Sequence, residues 1–426
     1  MTVSRNNDIV GYGLLAISIG AAASIAGNLF VQGEVLFVWA RELLQPAFAA
    51  ASLNGTVLLQ ALALLFGAAL ILQIRKRFGV TDWSGPAESM FALQYRAGPP
   101  LDTRIGTGSV LAAFVACGCG APVGQYGPVI HLGATISQAL RNRIRTPLRP
   151  DIMLACGMSA AITGAFNAPL AAMAFVFEVM LRRFTVSVIA AVAIATASAY
   201  SVDQALFDQR VFLPLTIEDP NIQRWGIAFT IAPLCALVAW FYIRSLQHTQ
   251  RWTRGLPVGP GVKLGLCALI CSLLGGLAPE LLGLGRQPLQ DMLSGSLGIG
   301  LLVVLLFGKI LLTSICIASG FYGGIVATAL IIGATAGALL ARGLMLFGVA
   351  DWTPLLLLNA MAGVTAAVIG APVTVTLLVI ELTDSGVSGV LVIVTAYIST
   401  WLTRTYLSPS YYQIQLDGIV TARPSV

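Results

Sequence analysis

Three short turns in this chain carry residues suited to holding an anion: Trp83-Ser84-Gly85-Pro86-Ala87-Glu88, Gly124-Gln125-Tyr126-Gly127-Pro128 and Gly323-Gly324-Ile325-Val326-Ala327-Thr328. Each places Gly, and two of them Pro, just ahead of or within a first helical turn, as helix starts prefer. The first N–H groups of a helix have no partner in the helix, and its dipole is positive there. Several such ends aimed at one point would bind an anion without a permanent counter-charge that traps it. Any one turn is explained equally well by an ordinary loop between helices. Three of them beside an internal repeat favour the anion reading.

Other chemistries find little support. There is no HExxH, no Gly-x-Ser-x-Gly, no Walker loop and no paired membrane aspartates in a recognisable motif, so an enzyme is not expected. The seven cysteines are scattered, mostly inside apolar runs, and apart from a lone Cys117-Gly-Cys119 they lack metal-ligand spacing. They read as small core residues, and no metal is expected. His131, five residues after Tyr126, reads first as a packed, hydrogen-bonded histidine and second as a proton-linked group. Glu178, Glu381 and Asp384 lie in or beside apolar runs, where carboxylates are functional candidates by default. Capping of helix ends, or pairing with arginines, is the structural alternative and is favoured here.

The elements that must position these residues belong in a bilayer. Apolar residues make up 57% of the 426 and charged residues only 10%, against roughly 25% charge in an ordinary soluble domain. Apolar runs recur along the whole chain, among them 11–29, 58–72, 225–239, 264–274, 297–310, 355–382 and 387–401. Several fall short of the roughly 20 residues that a spanning helix needs. Such stretches, interrupted by Gly and Pro, suit broken or half-spanning helices around a polar cavity. The net charge of +6 reports topology rather than nucleic acid. The basic clusters Arg75–Arg77, Arg141–Arg149, Arg182–Arg183 and Arg251–Arg254 are expected to face the cytoplasm. The sparsely charged stretch 278–296 reads as an outer loop, and the first apolar run as a retained helix, with no signal peptide.

The chain also repeats itself. Gly157-Met-Ser-Ala-Ala-Ile-Thr-Gly-Ala-Phe-Asn-Ala-Pro169 resembles Gly363-Val-Thr-Ala-Ala-Val-Ile-Gly-Ala-Pro372, and an acid follows each proline nine positions later, Glu178 and Glu381. Gly133-Ala-Thr135 and Gly333-Ala-Thr335 form a second pair. The offsets agree, at 333 − 133 = 200 and 372 − 169 = 203. A duplicated membrane half with matched Gly/Pro interruptions points to a transport site at the repeat interface near the midplane. The pattern alone leaves open whether the halves run parallel or inverted.

These motifs resemble, in order and over nearly the whole chain, those of the CLC chloride channel and transporter family. Gly124 to Pro128 is similar to the family's Gly-Lys/Arg-Glu-Gly-Pro, Ser84-Gly85-Pro86 to its Gly-Ser-Gly-Ile-Pro, and 319–328 to its Gly-x-Phe-x-Pro region. Glu381-Leu382-Thr383-Asp384 resembles Glu-x-Thr-Asp, and Tyr411 falls where the family carries a central tyrosine. The resemblance implies an all-α polytopic fold in one transmembrane domain spanning residues 1–426. Its inverted halves would be about 1–215 and 216–412, with a short cytoplasmic tail at 413–426. It further implies a homodimer in the inner (plasma) membrane, both termini cytoplasmic, with one pathway for small inorganic anions per subunit and no cofactor beyond a bound chloride or similar anion. Carried over by position, Ser84, Gly85, Pro86, Tyr126, Gly127, Ile325, Val326 and Tyr411 would line the anion path, with Ser84 and Tyr411 donating hydroxyls. The packing surface between subunits is expected on 160–174 and 366–380.

The departures from the family matter as much. Its outer gating glutamate falls at Tyr126, behind Gln125, so these two form the gate. A carboxylate there can replace the anion and carry a proton, whereas a phenol keeps its proton up to about pH 10. The family's inner proton-transfer glutamate is Val179. Its signature phenylalanine and proline are Val326 and Thr328, which predicts a looser helix start. The expectation is therefore passive, uncoupled anion transport, most simply of chloride. The alternative is a proton-coupled chloride or fluoride antiporter using another carrier such as His131 or Glu178.

Overall fold

The computed structural model describes residues 2–51, 55–95, 100–144, 146, 148–207, 222–348, 352–383 and 389–423. They are helical almost throughout. The helices of the first half are α1 (Thr2–Ala51), α2 (Gly55–Phe78), α3 (Pro86–Gln94), α4 (Thr103–Gly118), α5 (Tyr126–Arg143), α6 (Pro150–Phe166), α7 (Pro169–Phe175) and α8 (Val186–Leu206). The second half holds α9 (Ile222–Gly255), α10 (Pro260–Leu277), α11 (Arg286–Leu293), α12 (Ile299–Ser319), α13 (Val326–Met345), α14 (Thr353–Ile369), α15 (Pro372–Thr383) and α16 (Gly389–Leu402). The last is α17 (Tyr411–Ala422). Among the described residues seven helices are long and apolar enough to cross a membrane. With no water to bond exposed backbone there, helices are the open-ended solution.

The two series are inverted-topology copies, and their contacts repeat about a two-fold relation. Gly124 and Gly324 form one antiparallel bridge, each donating its N–H to the other's carbonyl at 2.7 and 2.5 Å. α5 and α13 start from this bridge at Tyr126 and Val326, 200 residues apart (326 − 126). Ser159 on α6 bonds Thr196 on α8 at 2.7 Å, and their counterparts Asn359 and Thr395 join α14 to α16 at 2.7 Å. Hydrogen bonds of this kind hold helices together where lipid is as apolar as the packing surface. Small residues permit the closest approach. A Cβ on Gly133 would lie 2.1 Å from the Gly157 carbonyl oxygen, and one on Gly333 2.5 Å from that of Ala360.

The carboxylates expected to cap helices do so, across the repeat. Glu178 accepts from the backbone N–H of Val373 and Thr374 at 3.0 and 2.8 Å and from the Thr374 hydroxyl at 2.7 Å. Glu381 accepts from the N–H groups of Leu170 and Ala171, both at 2.8 Å. Each acid thus satisfies the orphan donors of the other half's short helix. Asp384 lies outside the described residues.

Four expectations change. The apolar run 355–382 is two helices, because Gly370 takes a left-handed conformation (φ 76°) that ends α14 before Pro372 opens α15. The stretch 278–296 is not a plain loop: it holds α11, whose Leu289 and Met292 are buried. Most of the tail 413–426 is helix α17, seated on the core through Leu416. The proposed subunit surface is largely interior, with Ala160, Ala161, Ala366, Ala367 and Val375 fully buried. Exposed apolar side chains are spread over the long helices instead, among them Leu36 on α1, Phe66 on α2, Val186 on α8, Phe229 on α9, Leu273 on α10 and Phe307 on α12.

Candidate functional site

Three helix starts converge where the sequence places them. α3 opens at Pro86 behind Gly85, and α5 and α13 open beside the Gly124–Gly324 bridge. A Cβ on Gly127 would meet the Gly324 Cα at 3.1 Å and the Pro86 Cγ at 3.4 Å, so the starts of α3, α5 and α13 touch at one point. The first-turn N–H groups of Tyr126, Gly127, Ile325 and Val326 face the limits of their own helices and have no carbonyl to reach there. Gly85 differs, because its N–H already donates to the Glu88 carboxylate at 2.7 Å in a capping box. Pro86 has no N–H. α3 therefore offers the Ser84 hydroxyl and the positive end of a helix, not amide donors at those two positions.

Around this point sit several phenols. Tyr411, buried at the start of α17, accepts a hydrogen bond from the Gln250 side chain at 2.7 Å, which leaves its own O–H proton to donate. Tyr412 beside it is buried, and its hydroxyl has no partner among the described residues. Tyr322 reaches from the turn before α13 to donate to the Ser84 carbonyl at 2.8 Å, and its ring stacks on Trp83 at 5.7 Å. The Ser84 N–H donates to Ser109 at 2.9 Å. Thus the Ser84 turn is fixed from both halves. Sequence reasoning singled out neither Tyr322 nor Tyr412; a second aromatic next to each motif was the available signal.

Tyr126 is the first residue of α5, and its ring lies flat on Phe166 at 3.5 Å between centroids and 10° between planes. Both rings border a cavity of about 270 Å³, shared with Gln125, Arg286, Asn28 and Thr383. Gln125 is buried and its side-chain oxygen has no partner among the described residues. The phenol, at the start of α5, therefore borders a chamber of mixed lining, in which Gln125, Asn28 and Arg286 face apolar Val31, Leu289 and Ile331. The start of α13 is not loose as expected: Thr328, in the place of a proline, bonds the Ile325 carbonyl at 2.9 Å and meets the Tyr242 hydroxyl at 2.7 Å.

The proton-linked candidates are engaged. His131 is buried, with Nδ1 paired to the Ser89 hydroxyl at 2.9 Å, while Nε2 has no partner among the described residues. Glu178 is consumed by the cap on α15. Val179 is buried, and only its carbonyl is used, by Gln94 at 3.2 Å.

A helical membrane protein whose two inverted halves meet at paired helix starts flanked by hydroxyls is the class that fold and site define. The family model described as voltage gated chloride channel matches residues 66–404, and this chain belongs to that family. The H(+)/Cl(-) exchange transporter ClcA of Vibrio cholerae is 29% identical over 63% of this chain, which spans about 60% of that relative's length. ClcA of Yersinia pseudotuberculosis is 26% identical over 87% of this chain and 80% of its own. Among solved structures, a slow cyanobacterial Cl−/H+ antiporter superposes with a TM-score of 0.88 at 23% identity, covering 97% of this chain and 99% of its own. A CLC-type fluoride/proton antiporter gives 0.79 at 21% identity, covering 96% and 98%. At such identities the likeness concerns the fold.

Proposed function

We propose that this protein carries small inorganic anions, chloride first among them, across a membrane through one pathway per subunit of a homodimer, without moving protons in exchange. The observation that carries the uncoupled reading is Tyr126. At the entrance, where a proton-coupled mechanism needs an acid that alternates between charged and neutral forms, the chain has a phenol stacked on Phe166. Val179 gives the inner position no ionisable side chain, and Glu178 is held by three hydrogen bonds to α15. The anion itself is held by first-turn N–H groups of α5 and α13 and by the Ser84 and Tyr411 hydroxyls. Neutral donors of this kind bind reversibly, because each lends a partial charge only.

The experiment is ion efflux from liposomes. Purified protein, reconstituted with potassium chloride inside and opened by a potassium ionophore, releases chloride on this reading. Efflux no faster than from empty liposomes, for chloride, fluoride and nitrate alike, contradicts it.

A second reading is favoured by one observation. The unpartnered Nε2 of buried His131 is a nitrogen that can take a proton, and relatives of this chain are named as proton/chloride exchangers. On that reading chloride efflux drives proton uptake, and His131→Gln abolishes the uptake while sparing chloride.

A further inference from the structure

Three of the seven cysteines, unremarkable in sequence, meet in space. Cys267 and Cys271 stand four residues apart on one face of α10, and Cys316 reaches them from α12. The Cys316 sulfur lies 3.5 Å from that of Cys267 and 3.4 Å from that of Cys271, and all three sulfurs lie within 4.8 Å of one another. All three side chains are buried. Zinc–sulfur bonds of about 2.3 Å place the sulfurs of a tetrahedral site roughly 3.8 Å apart. The present spacing needs to open by only a few tenths of an ångström. The Ser319 side chain, at the end of α12, lies within hydrogen-bond reach of Cys267.

Packing alone does not ask for sulfur here. The repeat offers an internal control at the offset of 200 that relates the α3 and α11 caps (285 − 85) and the paired helix starts. The counterparts of Cys267, Cys271 and Cys316 are then Gly67, Ile71 and Ala116, none of them a thiol, and the first-half crossing instead carries the single thiol of Cys119, whose sulfur a Cβ on Gly67 would meet at 2.8 Å. A cation sits close by as well. Lys309, one of the largest fully buried side chains, lies on α12 within electrostatic reach of Cys271 and Cys316. Its ammonium donates to the carbonyls of Leu281 and Gly283 at 3.1 and 2.6 Å. Its first-half counterpart is Ser109. The three-thiol cluster and the lysine have no counterpart at the matching positions of the first half.

We infer that Cys267, Cys271 and Cys316 form a binding site for a divalent thiophilic cation such as zinc, held by three thiolates with Lys309 as counter-charge. The arithmetic favours a divalent ion: 2 − 3 + 1 = 0. A neutral assembly is the one that tolerates burial, since uncompensated charge in a low-dielectric interior is costly. Thiolates select soft and borderline cations over magnesium or calcium. On binding, three S–H bonds break, three metal–sulfur bonds form, and the three protons leave to solvent. The site is remote in kind from the anion path, being built from α10 and α12, and does not depend on the transport reading.

The test uses full-length protein in detergent, stripped of metal and kept reduced. Titration with cadmium should produce a sulfur-to-metal charge-transfer band that saturates at one ion per chain. Cys316→Ser and Cys267→Ser should each abolish it, while Cys156→Ser and Cys235→Ser, at cysteines outside the cluster, should not. Should the cluster variants fail to fold, X-ray absorption at the zinc edge of zinc-loaded wild type decides the matter. Three sulfurs at about 2.3 Å support the site. No cadmium band in wild type, a band that survives loss of Cys316, or zinc surrounded by oxygen and nitrogen overturns it.

Discussion

The starts of α5 and α13 are the same backbone bearing different chemistry. Both leave the Gly124–Gly324 bridge, both begin with first-turn N–H groups that their own helix cannot satisfy, and both run into helices that cross their neighbours at a glycine. Yet one begins with Tyr126, stacked on Phe166 beside a chamber of mixed lining, and the other with Val326, buried among apolar side chains. The two-fold relation thus builds the paired helix starts, and the departures from it set which side chains each start presents. Glu178 and Glu381 make the same point from the other side, for there the side chains stayed alike and each caps a helix of the other half.

The largest effect should come from breaking the frame itself. A Cβ at Gly124 would sit 2.8 Å from the Gly324 carbonyl oxygen, and one at Gly324 2.6 Å from the Gly127 nitrogen. Gly124→Val and Gly324→Val should each cost about 1–3 kcal/mol by overpacking and abolish chloride efflux, because they part the two helix starts. Efflux at the wild-type rate from either variant, with normal elution on size exclusion, would show that the bridge is dispensable.

Next come the crossed caps. A hydrogen bond to a charged group contributes about 1.5–3 kcal/mol, so Glu178→Ala and Glu381→Ala should lower thermal stability in detergent by comparable amounts. Glu178 should cost more, since it accepts three bonds against two. A stable Glu178→Ala protein with altered proton flux would reassign that residue from cap to carrier.

These caps were legible in the sequence, because a proline followed nine residues later by an acid occurred twice at matching offsets. So were the three helix starts, where Gly and Pro punctuate runs that are otherwise apolar. The contacts that need two distant segments were not legible. Tyr322 on Ser84, Gln250 on Tyr411 and Cys316 on the α10 cysteines each join side chains that no local spacing relates. The buried faces also escaped. Helices apolar on every side carry no periodic signal that separates core from lipid, which is why 160–174 and 366–380 read as surface while their side chains are interior. The four-residue spacing of Cys267 and Cys271 was the one local hint of the cluster.

The smallest effects belong to single hydroxyls. Ser84→Ala and Tyr411→Phe should each remove one neutral hydrogen bond to the anion, on the order of 1 kcal/mol, and weaken chloride binding several-fold in calorimetry. Tyr322→Phe removes the bond to the Ser84 carbonyl, and should weaken binding by a similar factor through the loosened turn. Unchanged affinity in all three variants would place the binding site elsewhere than the Ser84 turn.

The central claim is that Tyr126 leaves the pathway without a proton carrier, and proton movement measures it most directly. Liposomes containing the wild-type protein, given an outward chloride gradient in weakly buffered medium, should lose chloride while the external pH stays flat. Sustained proton uptake against its own gradient, in fixed proportion to chloride lost, would contradict the account.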